Sequence, residues 1–307
     1  MIVKAKNRQT WNYGRPSVSS RIFDVCNVVF MLLLMIVTVY PFLYVLFASF
    51  SDPLKLMAHS GILLGPTGFS VKGYSLVLGY SPIWRGYAVT IFLATFGTAC
   101  NLVASILFAY VLSRRHLMLH RFFTFAAVFT MYFNGGIVPT YLIVKSVGLI
   151  NSLGSLIIPG LISTYNVIIL RTALSGVPLE LTESAELDGA GEFTILTRIL
   201  LPLIVPTIAT IALFIVVGYW NGWTNALLYI QDNKKYPLQM VLRQILVSND
   251  MTAAAGSGHS YEAGDDSATR MLLKYSTIIV SVIPIICVYP FLQKYFTKGV
   301  MIGALKG

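Results

Sequence analysis

Residues Pro178 to Pro202 read PLELTESAELDGAGEFTILTRILLP, a charged, helix-prone stretch set between two long apolar runs. Five of the twelve acidic residues fall here: Glu180, Glu183, Glu186, Asp188 and Glu192. Pro178 sits where a helix begins without losing a needed N–H, and Glu180 and Glu183 lie near that positive end. Gly189 and Gly191 break the helix, since glycine tolerates turn conformations that other residues avoid. A second short helix is expected from Glu192, with Phe193, Leu196, Ile199 and Leu200 on one face and Pro202 closing it. A helix–turn–helix with this much acid does not belong in hydrocarbon. It belongs in water or against another protein, and reads as a docking element.

Composition sets the surroundings. Apolar residues make up 56% of the 307, charged residues only 11%, and mean hydropathy is +0.74. A soluble domain carries about 25% charge, so this is the balance of a polytopic membrane protein. A net charge of +10 on a soluble chain suggests nucleic acid. Here it reflects basic residues held on the cytoplasmic side of a bilayer, and no nucleic-acid partner is expected. Cys26, Cys100 and Cys287 all lie in apolar runs, far apart and odd in number, without disulfide or metal spacing. They read as small buried hydrophobes.

A bilayer core needs about 20 mostly apolar residues per helix. Six segments qualify, residues 22–50, 87–112, 122–147, 153–174, 203–230 and 271–295, giving an all-α, six-span architecture. The first run is too long for a signal-peptide core and lacks a cleavage site, so it is expected to stay as an anchor. The tail 1–21, the turn from Arg114 to Arg121, and Lys294, Lys298 and Lys306 are basic with almost no acid. All fall on one side of a six-helix chain, the cytoplasmic one by the positive-inside bias. Both termini, the tail 297–307 and the loop 178–202 are then inside. Outside lie 51–86, with a short helix near Tyr74–Tyr80, and 231–270, with an amphipathic piece at 237–247 and a polar, flexible stretch after it.

Helix breakers and polar groups cluster within the spans. The third holds Asn134-Gly135-Gly136 and Pro139, the fourth Pro159 and Ser163 to Asn166, and the fifth ends Tyr219-Trp220-Asn221-Gly222-Trp223-Thr224-Asn225. Irregular backbone at membrane depth is tolerated only where protein or a water-filled cavity covers it. Aromatic faces beside amides suit sugar rings, which makes Asn134, Asn166, Tyr219, Asn221, Trp223 and Asn225 substrate-pathway candidates. The competing readings are an interfacial aromatic belt and helix packing. No carboxylate lies centrally in a span, since Asp24 is near the inner end of the first, so an ion relay has little to work with. No G-x-x-x-x-G-K-[ST] phosphate loop is present, so the chain is expected to bind neither ATP nor any other cofactor. His59, His116, His120 and His259 have no metal-ligand spacing.

Glu183, Ala185, Gly189, Ile199, Leu201 and Pro202 reproduce the spacing of the "EAA" loop of ABC importer permeases, with Ser184 in place of the middle alanine. Phe133 to Tyr141 (FNGGIVPTY), Trp220-Asn221-x-Trp223 and the ending from Tyr289 to Gly307 extend the match. Together they resemble carbohydrate ABC permeases, nearest the subfamily named for Bacillus lipoprotein-linked sugar importers and related to the maltose system's G-type subunit. The resemblance implies a type I importer permease fold in a bacterial plasma membrane. It implies a second homologous permease, two ATPase subunits carrying ATP and Mg, an extracellular solute-binding lipoprotein and an oligosaccharide substrate. It assigns Glu183, Ser184, Ala185, Leu187, Asp188, Gly189, Ile199 and Pro202 to ATPase coupling, and makes the chain a transport subunit rather than an enzyme. Lys298 to Gly307 occupies the place of a tail that reaches the ATPase in maltose-type relatives; a solvated basic end is the alternative. A permease of this fold for another solute, or a transporter or channel without an ATPase, are the competing functions.

Overall fold

Backbone N–H and C=O groups have no water to bond in a bilayer core, so an apolar chain of this kind folds into helices. The computed structural model describes residues 18–114, 118–247 and 270–287. Among them no strand forms; one isolated bridge joins Ser51 and Phe69. Three helices are long and apolar enough to cross a membrane: α1 (Val18–Ser49), α2 (Ser81–Ser113) and a third at Arg270–Cys287. Three bent pairs pass the same test together. In chain order after α2 these are α3 (His120–Tyr132) with α4 (Ile137–Ser146), a short Gly154–Gly160 helix with α5 (Thr164–Ser175), and α7 (Glu192–Leu203) with α8 (Val205–Asn221). Between α5 and α7 lies α6 (Leu179–Leu187). After α8 come a short helix at Thr224–Tyr229 and then α9 (Leu238–Val247). Arg270–Cys287 is α10.

The breakers act where they stand. The α3–α4 pair turns by 115° across Phe133 to Gly136, with Gly136 at φ +87°. The Asn134 side chain accepts a hydrogen bond from the Gly136 N–H at 2.9 Å inside that corner. The pair around Pro159 to Ser163 bends by 52°, and α7 meets α8 at 85°. This last corner falls at Ile204, two residues beyond the expected stop at Pro202. Pro202 lies in the last turn of α7, which runs on to Leu203, and Pro206 stands in the first turn of α8, where a missing N–H costs little. The fifth apolar segment is likewise not one helix: α8 ends at Asn221, and Gly222–Trp223 separates it from Thr224–Tyr229.

A small core of Ala48, Leu56 and Leu63 packs with Met271 and Tyr275 of α10 at the end of α1, and two large cores hold the bundle. One joins Ala109 and Leu112 of α2, Val167, Leu170 and Leu174 of α5, Ala185 of α6, Ile195, Leu196 and Leu200 of α7, and Ile211 and Ile215 of α8. The other, at the opposite end, joins Ile83 and Leu93 of α2 to Leu156, Ala226, Leu238, Val241 and Leu273. Tyr219 packs against both. By contrast the most apolar window of α1 buries nothing within the chain. Phe23, Phe30, Val37 and Phe42 stand exposed along it, a helix clothed by lipid or a second chain. Cys26 and Cys287 share such outward faces and only Cys100 is half-buried; the cysteines are free, but two of them are not core residues as expected. Residues 18–21 of the expected polar tail are already helical. The C-terminal residues 288–307, with the tail expected to meet an ATPase, lie outside the described residues.

Candidate functional site

The acid-rich stretch folds as a helix, a left-handed turn and a second helix. Asp188 ends α6, Gly189 adopts φ +78°, its N–H donates to the Glu186 carbonyl at 3.0 Å, and the Ala190 N–H donates to the Ala185 carbonyl at 2.9 Å. That pair of bonds is the Schellman stop. It brings Ala185 and Ala190, the residues joined by the longer bond, together on the inward side. Ala185 is 8% exposed and Ala190 packs on the same core. Thr182 is buried one turn earlier, while Glu183, Ser184, Leu187 and Asp188 point outward.

The second helix differs from the expected register. Ile195–Leu200 is π-helical, and the wider turn shifts the buried face to Ile195, Leu196 and Leu200 with Ile199 half-buried. Phe193, placed by α-helical spacing on the buried side, is 73% exposed instead. Pro202 is exposed as well. The bend thus presents Leu187, 90% exposed, and Phe193 outward on either side of the turn, with Leu179 and Leu181 also exposed along α6.

A polar cluster that sequence reasoning missed fastens this bend to the end of α2. The Arg114 guanidinium donates to Oε2 of Glu192 at 3.0 Å and to the Tyr110 hydroxyl at 2.6 Å, and lies 3.9 Å from Oε1 of Glu186. The Tyr110 hydroxyl also donates to Glu192. The Arg114 side chain is only 12% exposed and its guanidinium covers the Tyr110 ring at 4.9 Å. Burial pulls the Arg114 pKa down, but Tyr110 and Glu192 more than offset this and hold it above the usual arginine value. From sequence Arg114 was one more basic flanking residue. Its partner lies 78 positions away, a separation that no local pattern reports.

Between the two cores lies a cavity of about 270 Å³. Its polar lining is Asn101, Asn166, Tyr219 and Asn225, with Gly160, Gly218 and Gly222 among the remaining walls. Three of the six pathway candidates, Asn166, Tyr219 and Asn225, therefore meet in one place. The other three do not line it. Asn134 caps the α3–α4 corner, and the Asn221 side chain is exposed and donates back to the Val217 carbonyl at 3.1 Å. Trp223 is 37% exposed. The Arg243 guanidinium lies over its ring at 4.5 Å.

Asn101 was not anticipated, since a lone amide inside an apolar run carries no sequence signal. It is 4% exposed, donates to the Gly160 carbonyl at 2.8 Å and accepts from the Ser105 hydroxyl at 3.2 Å. Tyr219 reaches the cavity because α2 widens into a π-helical turn at Leu93–Gly97. A Cβ at Gly97 would stand 2.8 Å from the Tyr219 ring. Among the described residues no His, Cys, Asp or Glu cluster is able to hold a metal.

A bent-helix bundle with an acid-rich corner at one end and an amide-lined cavity in its middle defines an integral membrane transport component. Residues 75–302 match the family described as "Binding-protein-dependent transport system inner membrane component", and the chain belongs to that family. It is 40% identical over 289 residues to Protein LplC of Bacillus subtilis, covering 94% of this chain and 96% of the relative. It is 39% identical over 291 residues to the polygalacturonan/rhamnogalacturonan transport system permease protein YtcP of the same organism, covering 94% and 100%. A chain from the crystal structure of a bacterial ABC transporter involved in the import of the acidic polysaccharide alginate superposes with a TM-score of 0.84 at 31% identity. That match covers 92% of this chain and 99% of the other.

Proposed function

We propose that this chain is one permease subunit of an ATP-driven, binding-protein-dependent importer of oligosaccharides, as the names of its relatives suggest. It works beside a second homologous permease, on two ATPase subunits, and receives its load from an extracellular solute-binding lipoprotein. Its termini are cytoplasmic and the membrane is the bacterial plasma membrane. The chain hydrolyses nothing itself; ATP and Mg belong to the ATPase pair.

One observation carries the coupling role: the 178–202 bend combines an outward apolar pair, Leu187 and Phe193, with a rigid internal frame. An exposed leucine and phenylalanine on a rigid acidic corner are the chemistry of a helix-in-cleft contact. Glu183, Ser184, Leu187, Asp188 and Gly189 form its outward surface. Ala185 and Ile199 seat it on the bundle, and Pro202 lies in its last turn before the corner at Ile204. Closure of the ATPase pair draws the two bends together and opens the amide-lined cavity outward; hydrolysis reverses it. A lever of this kind requires its contacts to persist in both states.

The test is reconstitution of the purified complex in proteoliposomes with the loaded binding protein. The reading requires sugar accumulation that stops when ATP is replaced by a non-hydrolysable analogue. Accumulation at full rate from liposomes lacking the ATPase pair contradicts it in favour of a secondary transporter. ATP-driven accumulation of a solute other than a sugar retains the fold and replaces the substrate.

A further inference from the structure

The wall of the cavity on the side away from the docking bend is built from two short half-helices. Leu156 and Gly160 line the cavity from the Gly154–Gly160 helix, and Asn225 and Ala226 line it from Thr224–Tyr229. Each is detached from its long helix: the first is set off from α5 by the 52° bend across residues 161–163, the second from α8 by the break at Gly222–Trp223. The two pack on each other, with Leu156, Ile157 and Ala226 in one core. Apolar burial is non-directional, so packing alone lets two such short helices slide and rotate. What fixes them to each other lies at their far ends.

Asn151 stands between α4 and the Gly154–Gly160 helix at φ +60°, and among the described residues it shares the left-handed region with one other non-glycine residue, Leu119. Asparagine enters that region more readily than most side chains. Every polar part of its backbone is used. Its N–H donates to the Tyr229 carbonyl at 2.7 Å, one of the carbonyls that a helix C-terminus leaves without a partner. Its own carbonyl accepts from Nζ of Lys235 at 2.6 Å. The side chain does the rest: Oδ1 accepts from the Gln231 and Asp232 N–H groups at 3.2 and 3.0 Å, which lie 80 and 81 positions further along the chain. A ring contact runs beside these bonds, with Tyr141 of α4 stacked on Tyr229 at 6.2 Å. The bonds are directional where the packing is not. One residue therefore sets the first half-helix against the end of the second.

We propose that Asn151 latches the two half-helices into a single gate leaf over the cavity, and is a positioning residue for transport. The proposal rests on the import reading, under which this side faces the exterior, and adds the residue that keeps the outer mouth shut at rest. With the latch made, the leaf turns as one body about the breaks at 161–163 and Gly222–Trp223. Its inner end is held as well, because Asn101 donates to the Gly160 carbonyl at 2.8 Å. With the latch broken, each half-helix swings on its own break and the mouth opens without a signal from the docking bend. The Oδ1 acceptor is the part that matters. A glycine at this position keeps the turn but gathers neither N–H.

The experiment uses the whole complex in right-side-out vesicles, with Cys26, Cys100 and Cys287 replaced and Gly218→Cys as reporter. Gly218 lines the cavity, and a Cβ there meets nothing within 4 Å. The probe is a membrane-impermeant thiol reagent added outside, without ATP or binding protein. Asn151→Gly should speed labelling about tenfold over the parent, the effect of losing two hydrogen bonds that hold one state. ATP hydrolysis without binding protein should rise with it. Asn151→Asp keeps the acceptor and tolerates the turn, so it should stay within about twofold of the parent. Unchanged labelling and hydrolysis in Asn151→Gly overturn the latch and leave the residue a turn former. Asn151→Asp as fast as Asn151→Gly overturns the role given to Oδ1. Should Asn151→Gly not assemble, Lys235→Met removes only the bond to the Asn151 carbonyl. It must move both readings in the same direction by a smaller factor, and no movement overturns the latch. The parent itself separates the two readings: its labelling should quicken when ATP and the loaded binding protein are added. Indifference to both overturns the import reading and the latch with it.

Discussion

Gly189 is the residue on which the docking bend turns, and it is so for a backbone reason. At φ +78° an L side chain costs about 1 kcal/mol, and proline is excluded because its φ is fixed near −65°. Gly189→Pro should therefore abolish sugar uptake and stimulation of the ATPase, while the chain still inserts and its helical content by circular dichroism is unchanged. Glu183→Lys, on the outward surface of the same helix, should give the same loss by reversing charge at the contact. Normal uptake with normal ATPase association in both variants would count against the lever. The Arg114 cluster makes a different prediction. Arg114→Ala removes the guanidinium bonds to the Tyr110 hydroxyl and Glu192, a loss of about 1–3 kcal/mol for a charged hydrogen-bonded group. The bend should loosen, so ATP is hydrolysed with less sugar moved per turnover. The ratio of the two rates is the measurement, and an unchanged ratio assigns Arg114 to packing alone. At the cavity, Gly97→Val should displace the Tyr219 ring, whose nearest atom stands only 2.8 Å from any Cβ placed there. Sugar uptake should fall at least tenfold, with the complex still assembled, as read by size-exclusion chromatography.

Elements that depend on local chemistry were legible from sequence. The Pro178 start, the Gly189 stop, the new helix at Glu192 and the corner at Asn134-Gly135-Gly136 follow from fixed φ angles, missing donors and glycine freedom, which act within a few residues. What failed was phase. A π-helical turn at Ile195–Leu200 rotates Phe193 to the surface, and another at Leu93–Gly97 gives Tyr219 its place. Periodicity arguments assume 3.6 residues per turn and cannot register either insertion. The pathway candidates divided for a related reason. Asn166, Tyr219 and Asn225 share the cavity, whereas Asn134 and Asn221 satisfy backbone groups of their own segments. A short amide side chain in an apolar run serves either purpose, and only tertiary packing decides. The same holds for Asn101, hidden in α2 without a neighbour in sequence to announce it.

At the scale of the molecule, two apolar cores are separated by an amide-lined cavity and bridged by Tyr219. The core at the docking end takes in α6 and α7 along with the membrane helices α2, α5 and α8. A push on the bend is thereby a push on three of the helices around the cavity, which on the proposed import reading is how hydrolysis would be coupled to access. Exposure along α1 and over the α3–α4 corner leaves broad faces for lipid and, on the proposed reading, for the second permease. The claim on which this rests is that the 178–202 bend faces the cytoplasm and is covered there by an ATPase. It is tested most directly by a single cysteine at Leu187, in a chain whose three natural cysteines are replaced, probed with a membrane-impermeant thiol reagent. The account predicts no labelling in intact cells, labelling in inverted vesicles stripped of the ATPase, and protection when the ATPase is restored. Labelling from outside intact cells, or equal labelling with and without the ATPase, contradicts it.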